Sequence, residues 1–197
     1  MPKRDLIYTF AVSLIVGVFL TSLIKSLGIL NSLPSVLIYF LVIFVPVIAV
    51  VGMSIAYLLG KKIAILWQIS KFALVGVSNT AIDFGIFNLL ILLTGTTAGT
   101  NIIPMKAFSF SGAVVNSYFW NRRWVFEGAK HADFVVFFIV TALGIAINAS
   151  VVFVITTFIP PIIVKDKILW ANVANALATG VSMIWNYLGY KLVVFKK

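Results

Sequence analysis

Long apolar runs with hardly any charge constrain this fold more than any other feature of the sequence. A run of about 18 apolar residues is long enough to cross the hydrocarbon core of a bilayer as a helix. Only 10% of the 197 residues are charged and 62% are hydrophobic, whereas a soluble domain carries about 25% charged residues. The sequence therefore predicts an all-α, polytopic transmembrane helix bundle. Its six predicted spans are residues 6–24, 36–60, 72–93, 104–119, 134–159 and 169–194.

The segment 63–70 separates an N-terminal hairpin, residues 1–62, from the remaining chain, residues 71–197. It is apolar but too short to span, so it is either an interfacial segment or the lead-in to the third helix. A cleaved signal peptide is the competing interpretation of the first run. It is disfavoured because the run is too long and no small-x-small cleavage site follows it.

The chain has 15 Lys and Arg against 5 Asp and Glu, a net charge of +10. A nucleic-acid partner is excluded, because these charges lie in ones and twos between apolar runs and not on one soluble face. In the short loops, eleven basic residues fall on one side of the predicted membrane and four on the other. The positive-inside rule then predicts a cell-membrane protein with both termini cytoplasmic. The outer loops would lie near residues 26–35, 94–104 and 160–168.

The last four spans contain an internal repeat of two hairpins. The third and fifth spans align at an offset of 68 through Gly76 and Gly144. The fourth and sixth align at an offset of 65 through the Trp-Asn pairs that end in Asn121 and Asn186, and each pair is followed by basic residues and Val-Phe. Because each hairpin crosses twice, the two copies are predicted to be parallel repeats.

Two stretches carry a resemblance to a known family, KFALVGVSNTAIDFGIFNLL (71–90) and SGAVVNSYFWNRRWVF (111–126). They resemble the GtrA-like family of small four-span membrane proteins, through V-G-x-x-N-T-x-x-D and N-R-x-W-x-F. The resemblance implies a translocase of the flippase type in cell-surface polysaccharide biosynthesis. Its cargo would be a polyprenyl-phosphate-linked sugar, and it would work beside a membrane glycosyltransferase. The resemblance offers no role for the N-terminal hairpin.

Asp83 is the only acid deep within a predicted span, and Asn79 lies one turn before it. An ionisable residue at the bilayer centre is costly and is by default a functional candidate that faces the bundle interior. The structural alternative is a protonated carboxyl that hydrogen-bonds a neighbouring helix.

Polar residues also recur at spacings of three and four on the fourth and sixth spans, which places them on one face of each helix. Two such stripes facing each other would either hold helices together or line a polar groove. The stripe of the fourth span includes Ser109, Gly112, Asn116 and Arg123, and that of the sixth includes Asn172, Asn175, Thr179, Ser182 and Asn186.

Arg122 and Arg123 end the fourth span between Trp120 and Trp124. They are either a topology anchor within an aromatic belt or bidentate donors to a lipid phosphate. The substrate-binding set predicted from all these features is Asn79, Asp83, Asn116, Asn121, Arg122, Arg123, Asn175 and Asn186.

Catalytic chemistry has few residues to use. The chain has no Cys, and its one His, His131, lies in a polar connector. We therefore predict no enzyme, no cofactor and no metal. The alternatives to a translocase are a non-transporting scaffold for a glycosyltransferase and a small proton-coupled multidrug-type exporter. The basic arginine pair disfavours the exporter, because a cation pump needs an acidic cavity. A homo-oligomer is also left open, because no single G-x-x-x-G stripe specifies an interface.

Overall fold

The computed structural model describes residues 1–26, 35–95, 102–127, 133–160 and 167–195. Every regular element in these ranges is a helix, which confirms the all-α class and matches the six predicted spans. The six α-helices are α1 (Lys3–Ser26), α2 (Ser35–Gly60), α3 (Ala64–Thr94), α4 (Ile102–Trp120), α5 (Phe134–Phe158) and α6 (Lys167–Gly189). Two π-helical segments follow α4 and α6, the first over Asn121–Val125 and the second over Tyr190–Val194.

Three of the helices contain stretches long and apolar enough to cross a membrane. These stretches are Lys3–Thr21 in α1, Tyr39–Gly60 in α2 and the whole of α3, Ala64–Thr94. The surface of α2 exposes large apolar side chains such as Phe40, Ile43 and Phe44. Such a surface is favourable against lipid and unfavourable in water. Spanning by α4, α5 and α6 stays a prediction.

The short apolar segment at residues 63–70 forms the beginning of α3, apart from Ile63. Trp67 in this segment packs edge-on against Tyr57 of α2, with ring centroids 5.5 Å apart. Lys71 consequently lies in the third turn of a 31-residue helix. The sequence placed the start of the third span after Lys71 because the uncharged run begins there, but a charged residue does not interrupt backbone hydrogen bonding.

The chain forms two compact units, Met1–Glu127 and Gly128–Lys197. The first contains α1 to α4 and the first π segment, and the second contains α5, α6 and the second π segment. Contacts therefore do not divide the chain between the N-terminal hairpin and residues 71–197. In the first unit α1 lies against both α2 and α3. Helices α1 and α2 approach each other closely at Gly17, where an added Cβ would lie 3.0 Å from the Val42 Cα.

Both π segments close in the same way. The Phe126 N–H donates to the Asn121 carbonyl at 2.8 Å, and the Phe195 N–H donates to the Tyr190 carbonyl at 2.8 Å. These are the i→i+5 bonds of a π turn. The two π segments therefore align with each other through their Val-Phe ends, at an offset of 69 residues. The structure does not support the Trp-Asn alignment at an offset of 65, because the residue equivalent to Asn121 is Tyr190.

Candidate functional site

Hydrogen bonds between α3 and α4 form a polar ladder in the middle of both helices. Ser109 Oγ donates to Asp83 Oδ1 at 2.6 Å. Asn116 Nδ2 donates to Asn79 Oδ1 at 2.7 Å and to Ser78 Oγ at 3.3 Å. These five residues are the polar ladder. It brings together three of the predicted site residues, Asn79, Asp83 and Asn116.

The ladder is buried on one side only. Ser78 and Ser109 are fully buried, whereas Asp83, Asn79 and Asn116 are half-buried. Residues Asp83, Asn79 and Asn116 are therefore not completely enclosed by the contact between α3 and α4. The sequence predicted a polar stripe on the fourth span. It did not predict that Ser109 and Asn116 of this stripe bond to α3.

Depth separates the ladder from the arginine pair. Asn79 is the middle residue of the 31-residue helix α3, and Asp83 lies one turn, about 6 Å, beyond it. Ser109 and Arg122 are thirteen residues apart, about 20 Å along α4 and the first π segment. The ladder residue nearest to the arginines is Asn116, six residues or about 9 Å from Arg122.

Arg122 and Arg123 are exposed, and each is supported by an aromatic ring. Arg122 Nη1 donates to the Tyr118 hydroxyl at 3.3 Å. The Arg123 guanidinium lies 5.6 Å from the centroid of the Phe119 ring. Within the described ranges, no carboxylate forms an ion pair with either arginine. Their planar donors are therefore available to an anion.

Asn121 and Trp124 have different surroundings from those expected. Asn121 is 1% exposed, and its Nδ2 donates to the Ser117 carbonyl at 2.8 Å. This amide thus bonds back to the preceding turn of its own helix. Trp124 is fully buried, so its assignment to an aromatic belt is wrong. Trp124 Nε1 instead donates to Asp5 Oδ1 at 2.6 Å.

Asp5 belongs to a group of four charged side chains that lie close together. We call this group the charge cluster; its members are Arg4, Asp5, Lys71 and Glu127. Lys71 Nζ lies 3.4 Å from Asp5 Oδ1, and both side chains are 5% exposed. It also lies 3.7 Å from Glu127 Oε1, and Arg4 pairs with the same carboxylate. Two cations and two anions make the cluster electrically balanced. Burial of such ions is tolerated only when they are paired and hydrogen-bonded.

Sequence reasoning missed the charge cluster. Asp5 is 119 residues from Trp124 along the chain, and Lys71 was counted as a loop charge. The only available signal was two acids, Asp5 and Glu127, close to the ends of apolar runs. No group of three or more potential metal-ligating side chains occurs in the part of the chain that the structure describes.

In the second unit, Asn186 lies in the contact between α5 and α6. A Cβ added at Gly144 would collide with the Asn186 side chain, so this amide packs directly against α5. The neighbouring Trp185 Nε1 donates to the Val140 carbonyl at 3.0 Å. The Asn175 side chain lies outside the described residues, and its predicted role stays a prediction.

Comparison with known proteins extends this description. The family described as GtrA/DPMS, transmembrane domain, matches residues 71–195. The uncharacterized membrane protein YngA of Bacillus subtilis (strain 168) is 35% identical over 127 residues, which cover 64% of this chain and 78% of that protein. No solved structure matches. The match includes α3 from Lys71 onwards, α4, α5, α6 and both π segments, and it leaves the N-terminal hairpin outside. It covers well over half of the chain. This membrane protein therefore belongs to the GtrA/DPMS transmembrane-domain family.

Proposed function

We propose that this protein is a translocase for a polyprenyl-phosphate-linked sugar in the cell membrane, and that it serves cell-surface polysaccharide biosynthesis. The observation that carries the proposal is the arginine pair. Arg122 and Arg123 are exposed at the end of α4 and form no ion pair with a described carboxylate. Guanidinium groups bind phosphate through two parallel hydrogen bonds. The family membership supports the choice of lipid phosphate over other anions.

The polar ladder supplies the second part of this mechanism. A sugar that crosses hydrocarbon loses its hydration, which is costly unless other groups replace the lost hydrogen bonds. Asp83, Asn79 and Asn116 are half-buried and offer both acceptors and donors about halfway through the membrane. The arginine pair would hold the phosphate while the ladder receives the sugar hydroxyls. The mechanism needs no covalent step, so we propose a transporter and not an enzyme.

A charge-conserving double variant tests the arginine pair. Arg122→Lys with Arg123→Lys keeps the charge but removes the planar fork, so we expect normal insertion with weaker binding of a polyprenyl-phosphate sugar in nanodiscs. Loss of charge-assisted bonds is worth about 1–3 kcal/mol, or about 5- to 150-fold in Kd. The matched control is Lys61→Gln with Lys62→Gln, which removes an exposed basic pair elsewhere and should leave binding unchanged.

Equal affinity in the wild type and the double Lys variant would reject the phosphate role and leave the arginines as topology anchors. A scaffold for a glycosyltransferase predicts a different result. It would bind the enzyme but not the lipid, even in the wild-type chain.

Both termini are proposed to be cytoplasmic, from the charge count of eleven against four. The chain has no Cys, so single Cys residues can be labelled without background. Lys62→Cys, in the exposed turn after α2, should react with a membrane-impermeant maleimide only after the cells are permeabilised. Thr97→Cys should react in intact cells. The reverse pattern would invert the proposed orientation.

A further inference from the structure

We propose that Asp5 of the N-terminal hairpin is a positioning residue for the arginine pair. It would act through Trp124, which lies in the same π segment as Arg122 and Arg123. The importance of the arginines for transport rests on the proposed function, but their positioning by Asp5 does not. The inference gives a role to a hairpin that lies outside the residues matched by the family.

The first line of support is the contact of α1 with the π segment. Trp124 is fully buried, and its indole N–H donates to Asp5 at 2.6 Å. One turn along α1, the Tyr8 ring packs edge-on against Trp120 at 5.4 Å and against Trp124 at 6.0 Å between centroids. The hydrogen bond to Asp5 and the ring contact with Tyr8 thus fix the orientation of the Trp124 side chain.

The backbone of the same segment is held by α3. Lys71 Nζ donates to the Trp124 carbonyl at 3.5 Å, and Gln68 Nε2 donates to the Val125 carbonyl at 3.2 Å. Carbonyls at a helix end have no partner within the helix and need donors of this kind. Lys71 also pairs with Asp5, so one ammonium connects α1, α3 and the π segment. Arg122 and Arg123 immediately precede Trp124 in the same π segment. The direction in which their side chains leave the backbone therefore depends on how this segment is rotated about its helix axis.

The second π segment shows that the turn itself needs no ion pair. Its backbone closes with the same bond, and its cation, Lys191, donates to the Tyr187 hydroxyl at 3.4 Å and forms no ion pair with a described carboxylate. The Tyr190 hydroxyl shares a hydrogen bond with Thr141 Oγ1 at 2.6 Å, and the Tyr190 ring stacks on Phe137 at 4.7 Å between centroids. A buried ion pair is a costly way to hold a turn, and its best-attested use is to specify one register. Among the described residues, the charged arrangement occurs only in the segment that carries the arginines.

Spin labelling in this naturally Cys-free chain tests the proposal without any lipid substrate. A nitroxide at Arg123→Cys should give a spectrum with an immobilised component, and Asp5→Leu should remove that component. Asp5→Glu keeps the charge and the acceptor, so it should retain the component. The matched control is a label at Leu192→Cys, the equivalent position of the second π segment, which is exposed and uncharged. Its spectrum should not respond to Asp5→Leu.

Trp124→Phe provides a second route if Asp5→Leu fails to fold. It keeps a ring but removes the N–H donor, and it should also remove the immobilised component at position 123. An unchanged spectrum at position 123 in either folded variant would overturn the proposal. A failure of the proposed function is distinguishable, because the Lys variants of the arginine pair would then bind the lipid normally while the spin-label result would stand.

Discussion

Asp83→Asn should abolish transfer of the lipid-linked sugar to the outer leaflet while the protein inserts and folds normally. Asn has the same size as Asp, and its Oδ1 can still accept the hydrogen bond that Ser109 donates at 2.6 Å. The variant can no longer carry charge or exchange a proton, which is the property expected of a functional intramembrane acid. The measurement is surface glycosylation of cells that carry the variant as their only copy, with its membrane level determined in parallel.

Ser109→Ala is the matched control for this experiment. It removes the donor of the same hydrogen bond and leaves the carboxylate in place. Interhelical hydrogen bonds in membranes contribute about 0.6 kcal/mol on average, so this variant should lose little stability and retain transport. If glycosylation persists in Asp83→Asn, the carboxylate only connects α3 with α4, and the ladder is a structural feature.

Lys71→Met should have the largest effect on stability among single substitutions in the charge cluster. It leaves the Asp5 carboxylate, 5% exposed, without its cation in a buried site. Loss of one partner of a buried ion pair costs about 3–5 kcal/mol. The free energy of unfolding can be followed by titration with a denaturing detergent in mixed micelles. Lys61→Met, at an exposed position in the turn after α2, should change it by less than about 0.5 kcal/mol.

A double-mutant cycle identifies the partner of Lys71. Asp5→Asn removes the anionic charge, so in the double variant neither buried group is left as an unpaired ion. Its loss of stability should be smaller than the sum of the two single losses. Additive losses would show that Asp5 and Lys71 do not interact in the folded protein.

The apolar runs were sufficient to predict the helices but not where they begin and end. Hydropathy reports which residues tolerate hydrocarbon, whereas a helix continues wherever backbone hydrogen bonds can form. This is why α1 begins at Lys3 and α3 begins at Ala64, each ahead of its uncharged run. The π segments were not predicted, because no apolar period distinguishes a single wide turn from an α-helical end.

The sequence was sufficient to predict those residues of the candidate site that are close to one another along the chain. An acid and an amide one turn apart in an apolar run indicated Asp83 and Asn79 without any knowledge of their partners. The pairing of α4 with α3 and the burial of Trp124 depend on tertiary contacts. Asp5 and Lys71 are likewise far apart in the chain, and nothing in the residues around either one indicates the other. Their association could be known only from the folded structure.

The shared π segments also bear on the ancestry of the two hairpins. A π turn holds one residue more than an α turn, which is the result that a single-residue insertion in a helix would give. Both hairpins have it immediately before the final Phe. If the hairpins arose by duplication, one insertion in the ancestral hairpin accounts for both copies, and the wide turn is older than the duplication. In both copies a cation contacts a Tyr one turn earlier, Arg122 with Tyr118 and Lys191 with Tyr187. This contact would be inherited in the same way, whereas the acidic partner on α1 would be later divergence.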